Sequence, residues 1–170
     1  MIPLSSATSG GLTWSKVSSR NFELNRSGQV IGRLRRPSLW SCSFQAETQT
    51  ERWTFRRRGW LGGCSEILDS ASQQPIATFK PAWGGRGGKL IFVDAQTFQL
   101  ECKGWWRPVW SVIAESDEAV LRLLRCEKTV ELSSAATVPE TRLGLLILFT
   151  WYHVLQSEDA SASAAVIAAS

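Results

Sequence analysis

Leu143-Gly-Leu-Leu-Ile-Leu-Phe-Thr-Trp-Tyr-His-Val-Leu155 is thirteen consecutive residues without a charge. Just upstream, Thr137-Val-Pro-Glu140 has the spacing of a helix capping box, with Pro139 placed for a first turn. The spacing predicts a helix over 143–155. A helix that is apolar on every side must be surrounded on every side, by protein or by lipid. Length separates the two: a bilayer span takes about 20 apolar residues, whereas 10–14 suit a buried core helix. At 1.5 Å per residue this segment makes a rod of roughly 20 Å, the length of a six-residue strand. The segment is therefore expected inside the protein.

What surrounds it is written upstream. From Leu12 to Ser134 short alternating runs are separated by turn residues every eight to twelve positions. The clearest run is Leu39–Glu47, with Trp40, Cys42, Phe44 and Ala46 on one face and Ser41, Ser43, Gln45 and Glu47 on the other. Phe98, Leu100 and Cys102 alternate with polar neighbours in the same way, as do Val130 and Leu132. Further strands are expected at Leu12–Val17, Asn21–Asn25, Gln29–Arg35, Arg52–Arg58, Cys64–Leu68, Pro75–Lys80, Lys89–Val93, Pro108–Glu115 and Ala119–Arg125, about twelve in all. The connections, among them Asn25-Arg-Ser-Gly28, Gly59–Gly63 and Gly84–Gly88, are too short for crossover helices, so the sheet should be an antiparallel meander. About twelve strands close into a barrel too wide for its own side chains to fill. The expected fold is therefore mainly β: a closed antiparallel barrel of about twelve strands around a buried hydrophobic C-terminal helix. Residues 1–11 read as a flexible lead, 12–156 as barrel plus helix, and 157–170 as a small-residue tail, frayed or helical.

Charge is unevenly spread. Residues 1–60 carry ten Lys/Arg and three acids, a net of +7; the remaining 110 carry nine and twelve, a net of −3. An anionic partner is expected at the N-terminal strands. Cys42, Cys64, Cys102 and Cys126 are scattered, with one histidine in the chain, so no zinc spacing exists and buried free thiols are expected. The first eleven residues lack the charged and apolar regions of a secretory signal. The expected location is cytoplasmic, with a peripheral place at a membrane left open.

The candidate site is basic. Arg33, Arg35 and Arg36 close one strand and Arg56, Arg57 and Arg58 close another two strands later. Alternation turns Arg33, Arg35, Arg52, Arg56 and Arg58 to solvent, where strand ends brought together would grip phosphate or acidic headgroups bidentately. Outward arginines also keep a barrel soluble and guard its strands, and both readings stand at this point. Trp83-Gly-Gly-Arg-Gly-Gly88 lacks the Lys-Ser/Thr ending and the following helix of a phosphate loop, so it reads as a hairpin tip. Trp60, Trp105 and Trp106 lie beside basic residues; they suit a lipid interface or stacking on bases, and more commonly cap a barrel end. His153 is expected buried, neutral and hydrogen-bonded to barrel backbone rather than in a triad. Glu115, Asp117 and Glu118 are expected as solvated charge in a hairpin turn.

The order of parts resembles the tubby-like superfamily, which includes the LURP-one-related proteins and the phospholipid scramblases. Phe22-Glu-Leu-Asn-Arg-Ser-Gly-Gln-Val-Ile-Gly32, Ile76-Ala-Thr-Phe-Lys80 and Gly88-Lys-Leu-Ile-Phe-Val-Asp94 look like the LURP-one-related pattern, and the likeness spans residues 12–156. It implies the barrel with a central helix. The acidic calcium-binding segment and the Cys/Pro-rich N-terminal region of scramblases have no counterpart, and the Lys/Arg pair with which tubby binds phosphoinositides maps to no specific positions. The expected function is that of a non-enzymatic barrel, without cofactor or metal, that takes anionic phospholipid or another acidic partner on its Arg-rich strand ends. Nucleic acid is not expected as a partner. A ligand-free interaction barrel and a membrane anchor made by the apolar segment are the other readings.

Overall fold

The computed structural model describes residues 11–38, 41, 43–59, 63–83, 86–133 and 138–168, with side chains as far as Ala160. Twelve strands are followed by one helix. They are β1 (Leu12–Lys16), β2 (Asn21–Arg26), β3 (Gln29–Arg35), β4 (Ser43–Thr48), β5 (Arg52–Arg57) and β6 (Ser65–Asp69), then β7 (Pro75–Pro81), β8 (Gly87–Phe92), β9 (Thr97–Lys103), β10 (Val109–Ala114), β11 (Ala119–Leu124) and β12 (Thr129–Leu132). Helix α1 covers Glu140–Ala168. Each strand pairs antiparallel with its chain neighbours, and β12 closes onto β1 through Leu12↔Val130 and Thr13↔Thr129. Closure leaves no strand edge open to another chain.

Period-two patterning sorts the side chains as the sequence implies. Phe44 and Ala46, Trp53 and Phe55, Leu90 and Phe92, and Phe98 and Leu100 face the lumen and are buried. Trp40 and Cys42, also expected on the buried face, lie outside the described residues, as do residues 1–10 and Thr137 of the expected capping box. Tight turns use left-handed backbone: Ser27 and Gly28 both have positive φ in the two-residue link between Arg26 and Gln29, as a type I′ turn requires. Gly87 and Gly88, expected in a hairpin tip, begin β8 instead. A Cβ on Gly88 would sit 2.3 Å from the Lys80 carbonyl oxygen and 2.6 Å from the Phe79 ring, so β7 and β8 approach each other only through glycine.

The helix fills the lumen. Leu145 to Phe149, Trp151, Tyr152 and Val154 are all buried, and the apolar run shows no face to lipid. Trp151 stacks on Trp14 at 5.1 Å between ring centroids, Tyr152 meets Phe44 edge-on at 5.3 Å, and Phe149 meets Phe55 at 5.5 Å. Each such side chain contributes about 1.5–3 kcal/mol by leaving water. Thr150 satisfies its hydroxyl within the helix by donating to the Leu146 carbonyl at 2.7 Å. The helix runs past the apolar segment: residues 157–168 continue it as one rod of 29 residues, about 43 Å long, which exceeds the height of the barrel. No described helix is long and apolar enough to cross a membrane.

Candidate functional site

A meander places alternate connections at opposite ends of its barrel. The links 27–28, 49–51, 70–74, 93–96, 115–118 and 133–139 lie at the end where α1 enters; 17–20, 36–42, 58–64, 82–86, 104–108 and 125–128 lie at the end where it leaves. The entry-end links contain no Lys or Arg and carry Glu51, Asp94, Glu115, Asp117 and Glu118. Every exit-end link carries an arginine: Arg20, Arg36, Arg58, Arg86, Arg107 and Arg125.

The six arginines read from the sequence divide on this frame. Arg33 and Arg35 point outward from β3, and Arg56 from β5. Arg33 lies in a charge ladder across the outer wall: Glu23↔Arg33, Arg33↔Glu47 and Glu47↔Arg52 are successive cross-strand partners. Its guanidinium is 3.1 Å from Glu23 and 3.6 Å from Glu47, and Arg52 is 3.7 Å from Glu47. The Glu23 hydrogen bond outweighs the opposing effect of burial and holds Arg33 yet more firmly charged. Arg56 and Arg58 share Glu66, at 2.8 and 2.6 Å. Burial pushes the Glu66 carboxyl up, but the two arginine hydrogen bonds win and its pKa lies below the ordinary value. Arg36 pairs with Asp159 of the departing helix at 2.8 Å and lies over the Phe44 ring. Among the described residues, Arg35 and Arg57 form no ion pair. The arginines of β3 and β5 end at the same end of the barrel with β4 between them, so they form parts of a rim rather than one pocket. The signal for the rest of that rim, Arg20, Arg86, Arg107 and Arg125, lay in their recurrence in every second connection.

Three tryptophans accompany the exit-end cations. Trp105 and Trp106, expected to cap the barrel end, are instead exposed by 80% or more, and Trp83 of the expected hairpin tip is fully exposed. Trp60 lies outside the described residues. Arg86 lies over the Trp105 ring at 5.6 Å and donates to the Gly104 carbonyl at 2.7 Å. The thiols also differ from expectation. Cys64 and Cys102 are free but only half-buried, and Cys126 is exposed, because all three lie at strand ends or in a link.

Just inside the rim, Arg57, Ser65 and Phe79 form one lumen-facing row across β5, β6 and β7. His153 faces this row from α1. Its ring is enclosed by Phe79 at 4.8 Å, Trp110 at 5.1 Å and Phe149 at 6.5 Å. Burial, with a smaller effect from the Arg57 charge, pulls its pKa down to about 4, so the ring is neutral near pH 7. The backbone hydrogen bond expected for it is missing at Nε2, which is buried without a partner because aromatic rings, not carbonyls, surround it. A cavity of about 600 Å³ opens here, lined by Arg57, Ser65, Phe79, Pro81, Trp83 and His153 among others. A second concavity of about 600 Å³, on the outer wall, holds the Glu23–Arg33–Glu47–Arg52 ladder and is internally neutralised except at Arg35.

At the entry end Arg142 of α1 pairs with Asp94 at 2.8 Å, hydrogen-bonds Gln96, and covers the Phe92 ring at 4.3 Å. Glu115 accepts a hydrogen bond from Thr97, while Asp117 and Glu118 stay exposed. Among the described residues no group of three or more His, Cys, Asp or Glu could hold a metal ion. The chain matches no family model, no curated protein and no solved structure.

Proposed function

We propose that the chain is a non-enzymatic barrel that docks its exit end on a membrane surface rich in anionic phospholipid. The single observation that carries this reading is the ring of arginines, one in each exit-end link, interleaved with exposed Trp83, Trp105 and Trp106. Cations near an anionic leaflet are worth about 1 kcal/mol each, and tryptophan partitions to the headgroup layer. The opposite end bears five link acids and would be repelled, so the field orients the barrel before contact. The twelve-stranded meander around a C-terminal helix supports a place in the tubby-like superfamily, near the LURP-one-related proteins, and a peripheral membrane location follows from the docking.

Flotation of the full chain with vesicles tests the proposal. Vesicles of phosphatidylcholine with phosphatidylserine should carry the protein upward at low salt and release it at high salt. Neutral vesicles should not. Equal behaviour with both vesicle types overturns the reading, as does binding to an acidic polypeptide with no binding to acidic vesicles.

A further inference from the structure

The cavity at the exit end has features that surface docking does not need. Its walls combine Arg57, exposed and without an ion pair among the described residues, with a polar atom, His153 Nε2, that is buried and has no partner among them. A buried polar atom left unsatisfied costs about 1–3 kcal/mol, a cost that a ligand can relieve. Buried Phe79, half-buried Pro81 and the fully exposed Trp83 add an apolar strip, with Gln156 and Ser157 of α1 beside it. A cation and a hydroxyl on one wall, beside an apolar strip that runs from buried Phe79 to exposed Trp83, fit a molecule with two chemistries. The volume lies within the usual range for small-molecule sites, about 300–1,000 Å³.

We propose that this cavity binds a single-chain amphipathic anion, its phosphate or carboxylate head held by Arg57 and His153 Nε2 and its chain laid along Phe79, Pro81 and Trp83. The cation supplies charge-assisted hydrogen bonds. The neutral imidazole, in the tautomer protonated at Nε2, donates to a second head oxygen. Ser65, the cross-strand neighbour of Arg57, adds a hydroxyl on the same row. The site rests on its own geometry and stands whether or not the exit end docks on a bilayer.

The lone histidine makes the test direct, because the isotopically labelled full chain gives one imidazole signal set. Dodecyl phosphate, kept below its micelle-forming concentration, should shift that signal saturably. Inorganic phosphate should bind about tenfold or more weakly, lacking the chain, and dodecyl maltoside should leave the signal in place, lacking the charge. Arg57→Gln should weaken dodecyl phosphate about tenfold, and Trp83→Ala by less, while Arg35→Gln, outside the cavity, should change nothing. Circular dichroism confirms that each variant is folded. No saturable shift, an equal shift with dodecyl maltoside, or an unchanged affinity in Arg57→Gln overturns the proposal. Acidic vesicles that still bind while dodecyl phosphate fails remove the cavity and leave surface docking standing; the converse removes surface docking alone. A His153 shift with phosphatidic acid vesicles identifies the amphiphile as bilayer lipid, and a shift with the monomer only identifies it as a free one; both support the site.

Discussion

The two ends of the barrel hold the same helix with opposite chemistry. At the entry end the barrel supplies the carboxylate of Asp94 and the helix supplies Arg142. At the exit end the barrel supplies Arg36 and Arg125, and the helix supplies Asp159 and Glu158, at 2.8 and 2.6 Å. The helix therefore carries, at each end, the charge its surroundings lack. Its positive N-terminal pole lies at the acidic end, so the macrodipole agrees with the direction of insertion. Between the ends the core is predominantly apolar, with Thr150 satisfied inside the helix. Charge tells the ends apart and the packing does not, which means each can be perturbed separately from the core they share.

The largest effect should come from that shared core. Phe149 meets Phe55, Phe79, Tyr152 and His153, and Phe149→Ala should lower stability by about 3–5 kcal/mol in urea unfolding. At temperatures where the variant is folded, its binding to acidic vesicles should match the parent, since neither end has changed charge. Next, Arg35→Glu with Arg107→Glu should weaken acidic-vesicle binding by about 4 kcal/mol, roughly a thousandfold, from two cations lost and two anions gained. Glu115→Lys with Glu118→Lys at the other end should leave it unchanged; equal effects from the two pairs would dissolve the distinction between the ends.

Acid should act on the ends in different windows. The folded-state pKa of His153, about 4, is below its unfolded value of 6.5, so between these values the unfolded chain binds more protons. Stability is full above about pH 6.5 and falls by up to about 3 kcal/mol as the pH drops to about 4. The urea midpoint against pH should show this slope, and His153→Gln should flatten it. The entry end responds later. The Arg142 hydrogen bond holds the Asp94 carboxyl below its ordinary 3.8, so that contribution persists until the pH falls below this value. The smallest effect belongs to Arg142→Met, which should cost about 1 kcal/mol by removing the cation over Phe92 and the Asp94 pair, with no change in vesicle binding.

Much of the scaffold was legible in particular residues. Phe44 and Ala46 between Ser43, Gln45 and Glu47 announced a half-buried strand, and Leu143–Leu155 announced a helix needing enclosure. The candidate site was legible only in part. Adjacent arginines in the chain drew notice at Arg33–Arg36 and Arg56–Arg58, yet Glu23, Glu47 and Glu66, distant or unremarkable in sequence, sit directly across from two of them, Arg33 and Arg56. Trp105 and Trp106 were expected as caps because tryptophan is usually buried. A lumen already occupied by α1 left them outside.

The sequence alone determined the elements and the need for a plug, because alternation and an uncharged apolar run act over a few residues at a time. The tertiary structure decided which residues share an end. Closing the meander superposes every second connection, so Arg20 and Arg125, a hundred residues apart, become members of one rim. It decided as well that His153 would face Arg57 across a cavity, since that meeting depends on how far along the lumen the helix sits, and only packing against the barrel wall sets that depth.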